Sequence, residues 1–140
     1  MSRADKYSLE QKKTEIYSDF LNNFDQNPVT GALAKVTNEQ AVAQALKNIV
    51  LTDIGERFYD SNKGSKIKQS LFEPQTPESI EFLRLQLSSS LARYEPRATV
   101  HEIRVNDQLE ENAIAITIVF SCINTSDRML TLGFTIQRVR

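Results

Sequence analysis

The chain has 140 residues, the length of one compact domain that can bury a single hydrophobic core. Its 17 basic and 18 acidic side chains nearly cancel, so no strong overall field would attract nucleic acid or an anionic membrane. The single cysteine, Cys122, excludes an internal disulfide bond, and its apolar surroundings in the sequence predict a small buried side chain.

No targeting segment is expected. The polar start from Met1 to Lys13 lacks the apolar region of a signal peptide. The longest apolar stretch, Ala113 to Ile123, has about half of the roughly 20 residues that a membrane-spanning helix needs. We therefore expect a soluble, intracellular product.

Residues 1–27 differ in composition from the rest and form a predicted N-terminal arm or helix, ahead of a single α+β domain over residues 28–140. Charged and amide side chains come first, and four apolar residues follow: Tyr17, Phe20, Leu21 and Phe24. That spacing fits one face of a helix, and it also fits an extended arm whose aromatic rings dock elsewhere. The arm could pack on its own domain or become ordered only against a neighbouring protein.

The first half of the domain predicts a short strand and a helix. A turn at Pro28 to Gly31 precedes a strand over residues 32–36. Thr37 and Gln40 resemble a capping box at a helix start, and Gly55 is predicted to end that helix. Residues 55–75 are predicted to be irregular, with a solvated group of lysines. The predicted buried face of the helix comprises Val42, Ala45, Leu46, Ile49 and Val50.

A second helix is predicted to begin at Thr76, which can cap the free backbone donors, with Pro77 at its first position and Glu78 near its positive end. Pro96 ends it, because the residue before a proline avoids the helical conformation. The predicted buried stripe is Ile80, Leu83, Leu87 and Leu91.

Three alternating segments complete the chain and predict strands with one face on a core. The predicted inward residues are His101, Ile103 and Val105 in the first strand, Ile114, Ile116, Ile118, Phe120 and Cys122 in the second, and Leu130, Leu132, Phe134 and Ile136 in the third. Short polar links, at about residues 106–112 and 124–127, make these strands antiparallel neighbours. The prediction is an α+β fold, with two main helices on a three-stranded meander and a short extra strand.

Catalytic and cofactor motifs are scarce, and we expect no cofactor and no metal. One histidine and one cysteine cannot form a zinc site. His101 is the only base available to a nucleophile, and the four glycines are too scattered to cradle a phosphate. No carboxylate has the apolar setting that would raise its pKa for glycoside hydrolysis. The carboxylates considered were Glu95, Glu102, Asp107, Glu110 and Glu111.

The segment Leu91 to Arg97, in which a helix ends on Tyr-Glu-Pro-Arg before alternating strands, resembles the baseplate wedge family of contractile phage tails and type six secretion systems. Weaker matches extend the resemblance over about residues 15–125. They are Asn27 to Gly31, Val42 to Ile49, Gly55 to Arg57, and Leu71 to Pro74. The chain departs from the family after Arg57, where Phe58-Tyr59 and Gly64-Ser65 replace the usual Pro-Phe and Gly-Cys.

The resemblance implies a structural protein of the virion, in the tail baseplate, and not an enzyme. It implies that Glu95, Pro96 and Arg97, with Tyr94 as a neighbouring anchor, contact a helical bundle of larger wedge proteins. A local surface ion pair is the alternative interpretation of Glu95 and Arg97. No nucleic-acid or membrane partner is expected.

The third strand suggests a second contact, because an edge strand with unpaired backbone groups can accept a strand from another chain. The resemblance makes the tail sheath protein that partner, at a strand edge carrying Leu130, Leu132, Phe134 and Ile136. Arg138 and Arg140 would discourage self-pairing. Two other functions stay open: a peptidoglycan-degrading, lysozyme-like hydrolase of the tail, and a small adaptor unrelated to tails.

Overall fold

The computed structural model describes residues 15–108 and 112–137. These residues form a mixed α+β fold with two antiparallel sheets, one of two strands and one of three. The α+β class is therefore as predicted. In chain order the elements are β1 (Ser18–Phe20), β2 (Lys35–Thr37), α1 (Asn38–Leu51), α2 (Ile67–Ser70), α3 (Pro77–Tyr94), β3 (Ala98–Gln108), β4 (Ala113–Cys122) and β5 (Thr125–Gln137).

The larger sheet has the order β3-β4-β5, with β4 in the centre and antiparallel to both neighbours. The five predicted inward residues of β4, including Cys122, are all buried, as the alternation requires. The polar link predicted at residues 124–127 is wrong, because β5 already begins at Thr125 and pairs it with Cys122. A two-residue turn at residues 123–124 is enough, since such short turns match the twist of paired strands.

The alternation predicted for β3 is wrong at His101. A β-bulge between Val100 and Glu102 leaves His101 as an extra residue, and both His101 and Glu102 are exposed. Because a bulge adds one residue to one strand, it moves the following side chains to the other face. Val100 therefore takes the inward place that the sequence pattern gave to His101, while Ile103 remains buried.

Helix α3 starts as predicted. The Thr76 hydroxyl accepts a hydrogen bond from the Ser79 backbone N–H at 3.2 Å, and Ser79 Oγ accepts one from the Thr76 N–H at 2.9 Å. Pro77 occupies the first turn, and Leu83, Leu87 and Leu91 are buried. Ile80 is half-buried.

Both ends of helix α1 differ from the prediction. Thr37 is the N-cap residue, but its side chain makes no capping hydrogen bond, so the predicted capping box is absent. The Asn38 side-chain oxygen instead accepts from the backbone N–H of Ile16 at 2.8 Å, which ties the helix start to the N-terminal segment. Gly55 does not cap the helix, because Thr52 is the C-cap and its hydroxyl donates to the Asn48 carbonyl at 2.6 Å.

The predicted irregular stretch 55–75 contains the short helix α2, which the sequence analysis missed. Ile67 and Leu71 on this segment are buried with residues of both long helices and of the larger sheet. No helix of the described residues is long and apolar enough to cross a membrane. The core consists of Val42, Leu46, Ile49, Val50, Ile67, Leu71, Leu83, Leu87, Leu91, Ala98, Ile103, Ile114, Ile116, Ile118, Phe120 and Cys122.

The described part of the N-terminal segment is extended. β1 pairs with β2 in antiparallel register, and β2 is the short extra strand predicted within residues 32–36, displaced by about one to three residues. Tyr17 packs against the core, whereas Phe20 and Phe24 remain exposed. Residues 1–14 of the arm or helix predicted over residues 1–27 lie outside the described residues.

Candidate partner-binding site

The turn between α3 and β3 places the four predicted contact residues. α3 ends at Tyr94, and the Glu95 backbone N–H donates to the Leu91 carbonyl at 2.9 Å, which closes the helix. Pro96 prevents a further helical turn, since it has no N–H and fixes its own φ. The Ile123 N–H donates to the Arg97 carbonyl at 3.0 Å, so the turn is held against the β4–β5 turn.

Glu95 and Arg97 form a two-pronged ion pair within the chain. Arg97 Nε donates to Glu95 Oε1 at 2.6 Å, and Nη2 donates to Oε2 at 2.8 Å. The Glu95 side chain is 5% exposed and that of Arg97 37% exposed. The hydrogen bonds to Glu95 raise the pKa of Arg97 above its ordinary value, so the guanidinium stays charged. The buried carboxylate thus fixes a cation at the surface.

The guanidinium keeps donors for a second acceptor. Arginine has five N–H donors, of which the Glu95 carboxylate takes two. In the described part of the chain, Arg97 hydrogen-bonds no other side chain. Three N–H groups are left on a partly exposed, oriented cation, which suits a carboxylate or a carbonyl supplied from outside.

An aromatic ring from the N-terminal segment supports this cation. The Arg97 guanidinium lies over the Tyr17 ring, 5.2 Å from its centroid. The Tyr17 hydroxyl accepts a hydrogen bond from Asn124 Nδ2 at 2.8 Å, which fixes the ring against the β4–β5 turn. Sequence reasoning did not include Tyr17 or Asn124 in the site. The only available signal was that the aromatic residues of the segment could dock elsewhere.

Tyr94 contributes its ring and not its hydroxyl. Lys63 Nζ lies 5.8 Å and the Arg93 guanidinium 5.4 Å from the ring centroid, both within the range of cation–π attraction. The hydroxyl is buried and has no hydrogen-bond partner among the described residues. The Tyr94 ring is therefore flanked by two cations.

The predicted contact strand, β5, is an edge strand of the larger sheet. It pairs with β4 on one side, and no other strand of the described residues pairs with it. Its inward side chains Leu130, Leu132, Phe134 and Ile136 are half-buried, each opposite a buried β4 residue. β3 is the other open edge, so the topology offers two strands for addition. Arg138 and Arg140 lie outside the described residues.

The two predicted sites are separate surfaces. Residues 94–97 precede β3, whereas β5 is two strands away, which is about 10 Å in the hydrogen-bonding direction. The structure brings Tyr94, Glu95, Pro96 and Arg97 together at one turn, against the β4–β5 turn, whereas the predicted contact residues Leu130 to Ile136 lie farther along β5.

Two of the carboxylates considered for catalysis, Glu95 and Glu102, are placed unfavourably. Glu95 is buried, but both of its oxygens accept from Arg97. The hydrogen bonds from Arg104 lower the pKa of Glu102, the opposite of what a general acid needs. Glu110 and Glu111 lie outside the described residues. The described residues contain no group of three or more His, Cys, Asp or Glu side chains that could hold a metal ion.

His101 does have a partner that the sequence did not reveal. His101 Nε2 and Ser121 Oγ lie 2.8 Å apart, across the paired strands β3 and β4. Ser121 is 4% exposed, and no carboxylate hydrogen-bonds the His101 ring in the part of the chain that the structure describes. A serine nucleophile needs an oriented base and access to substrate, and this pair provides neither.

Comparison with known proteins agrees with this geometry. The family model described as "Baseplate wedge protein gp25" matches residues 36–127, which is more than half of the chain. The baseplate wedge protein gp25 of Enterobacteria phage T4 is 26% identical over 88 residues, which cover 63% of this chain and 67% of that protein.

Two solved structures share the fold. A Geobacter sulfurreducens protein that carries the description tail lysozyme superposes with a TM-score of 0.67 at 17% identity, covering 75% of this chain and 95% of that one. A chain of the anti-feeding prophage baseplate superposes with a TM-score of 0.60 at 22% identity, covering 85% of this chain and 83% of that one. The family predicted from the Leu91 to Arg97 segment is thereby confirmed: the chain belongs to the gp25 family of baseplate wedge proteins and is a structural component of the wedge in a phage-type contractile tail.

Proposed function

We propose that this baseplate protein docks on a helical bundle of larger wedge proteins through the turn at Tyr94 to Arg97. The observation that supports it is the buried Glu95 carboxylate, which fixes Arg97 at the surface with three donors unused. A preorganised guanidinium loses little entropy on binding, and its planar donors select a carboxylate by geometry. The larger wedge protein supplies that acceptor.

The chain contains a matched control for this contact. Arg104 and Glu102 form the same two-pronged pair two residues apart, at 2.7 and 2.8 Å, on β3. Both of these side chains are exposed, 61% for Arg104 and 45% for Glu102. The two pairs thus differ mainly in burial of the carboxylate.

The test measures binding of the full chain to the larger wedge proteins of the same tail. Arg97→Lys keeps the charge but loses the planar donors, and we expect affinity to fall about 10- to 100-fold. Arg104→Lys should change affinity less than about threefold, because an exposed pair contributes little. Equal effects of the two substitutions, with unchanged melting temperatures, would show that the partner does not use Arg97.

We further propose that the open edge of β5 starts the sheath by accepting a strand from the tail sheath protein. The support is topological, since among the described residues β5 has one strand neighbour, and half of its backbone N–H and C=O groups face away from β4. Main-chain pairing would give affinity without requiring a particular side-chain pattern.

Hydrogen exchange tests strand addition directly. On mixing with sheath protein, alternate β5 amides should become protected, while the outer-edge amides of β3 serve as the internal control. Protection confined to β3, or absent from both strands, would refute addition at β5.

We propose a structural role without catalysis, because Glu95 and Glu102 are ion-paired with arginines and His101 has no orienting carboxylate among the described residues. The hydrolase alternative predicts release of dye from labelled peptidoglycan by the purified chain. Release that disappears in Glu95→Gln or Glu102→Gln, with the fold intact, would reinstate that alternative.

A further inference from the structure

Two adjacent aromatic side chains, Phe58 and Tyr59, are completely exposed on the loop between α1 and α2, and we call them the aromatic tip. Their relative accessibilities are 100% and 106%. Single exposed apolar residues are ordinary, but two neighbouring aromatic rings without any covering side chain are the composition of an interface core. The tip stands where this chain departs from the family pattern after Arg57.

The loop that bears the tip is held in place at its base. The Gly55 N–H donates to the Ser61 carbonyl at 2.7 Å, which closes the segment around the tip. Ser65 Oγ donates to the Val50 carbonyl at 2.5 Å, and Lys68 pairs with Asp53 at 3.0 Å. A tip on a fixed base loses less conformational entropy on binding than one on a free loop.

The loop is joined to the proposed wedge contact. Lys63, on the same loop, lies over the Tyr94 ring at 5.8 Å, and Tyr94 directly precedes the Glu95–Arg97 turn. The loop that bears the tip therefore reaches Tyr94 at the turn through Lys63, although the two segments are far apart in sequence.

The charges around the tip favour an acidic partner. Arg57, Lys63 and Arg93 make no ion pair with a carboxylate among the described residues, whereas the carboxylates of Asp53 and Glu56 lie beside Lys68. Asp60 is the opposing charge on the loop. Three cations without a carboxylate partner therefore oppose the one carboxylate of Asp60 among these described residues, and complementary potentials select a negative surface.

We propose that the aromatic tip is a second anchor for the larger wedge protein, inserting into an apolar groove between helices whose rim carries carboxylates. This inference rests on the proposed docking at Tyr94 to Arg97 and extends that surface to the α1–α2 loop. The aromatic rings supply buried area, and the flanking cations meet the acidic rim.

The test uses the full chain carrying Phe58→Ala and Tyr59→Ala together. Both rings are exposed, so the melting temperature should stay the same, and affinity for the larger wedge proteins should fall about 10- to 100-fold. The control is Phe82→Ala with Leu85→Ala, which removes side chains that are 67% and 60% exposed. Phe82 is 12 positions before Tyr94, or about 18 Å along α3, so this control should leave affinity unchanged.

The outcomes separate this inference from the proposed function. If Arg97→Lys weakens binding and the tip variant does not, the tip is not an anchor and the docking proposal stands. If neither variant weakens binding, both proposals fail. Tip-dependent binding to anionic lipid vesicles, without an effect on wedge affinity, would identify a membrane contact and overturn the inference.

Discussion

Removing Arg97 should destabilise the isolated protein far more than removing Arg104, although each pairs with a carboxylate two residues earlier. In Arg97→Ala the Glu95 carboxylate, whose side chain is 5% exposed in the intact pair, loses both hydrogen bonds. Breaking a fully buried pair costs about 3–5 kcal/mol, and we reduce this to about 1–3 kcal/mol because Arg97 is 37% exposed and screened by water. Loss of the Tyr17 contact adds about 0.5–1 kcal/mol.

Arg104→Ala provides the comparison, with an expected cost below about 1 kcal/mol, because both of its partners are exposed. Urea denaturation gives the two free energies of unfolding, and for a domain near this size each kcal/mol moves the melting temperature by about 2–4 °C. Equal losses for the two variants would refute the reasoning that burial of Glu95 determines the cost.

A double variant tests the cause of the loss. Glu95→Leu with Arg97→Ala removes the buried charge as well as its partner, and we expect it to be more stable than Arg97→Ala alone, since an apolar side chain needs no compensating cation. A double variant that is less stable than Arg97→Ala would mean that packing around Glu95, and not its charge, is responsible.

Three further predictions concern stability. Tyr94→Phe removes a buried hydroxyl that has no hydrogen-bond partner among the described residues, so the free energy of unfolding should stay equal or rise by up to about 1–3 kcal/mol. A clear loss of stability in urea denaturation would mean that the hydroxyl does form a hydrogen bond. Gly64→Ala should cost more than about 2 kcal/mol of folding stability, because φ is +139° and a Cβ would lie 2.5 Å from the Thr52 carbonyl oxygen. Gly133→Ala is the control, since a Cβ there would meet open space. Similar melting temperatures for the two variants would contradict the prediction. Backbone and Thr76 hydrogen bonds lower the pKa of Glu78 below its ordinary value of 4.5. The contribution of the ionised Glu78 to folding stability is therefore complete above pH 4.5, and it is lost as the pH falls through the lowered pKa. Glu78→Gln should therefore lower the melting temperature at pH 7 and not at pH 2, and an equal loss at both would exclude the carboxylate charge as the cause.

Helix α3 and strand β4 are elements that could be predicted from local sequence. Thr76 and Pro77 mark the start of α3, and the leucines at helical spacing mark its buried stripe, because caps and periodicity depend on neighbours within about four residues. The alternation in β4 predicted its buried face for the same kind of reason. The end of α3 at the Tyr-Glu-Pro-Arg turn was also predictable from the sequence, since a proline after a helix specifies where the helix ends.

Two of the predictions that failed depended on residues far apart in the chain. The Thr37 capping box did not form where Asn38 hydrogen-bonds the backbone of the N-terminal segment, 22 positions away. The bulge at His101 arises from pairing with β4, and no pattern within β3 announces an extra residue.

Short-range patterns were enough to predict the α+β class and the end of helix α3, and the motif from Leu91 to Arg97 was enough to identify the family by its resemblance. Three features became visible with the folded chain: Glu95 is buried, Arg97 is held over Tyr17 from a segment 80 residues earlier, and Lys63 of the loop that bears the aromatic tip lies over Tyr94. Burial and contacts between distant side chains depend on how the elements pack. That packing determines the orientation of the Glu95–Arg97 ion pair and its contribution to stability.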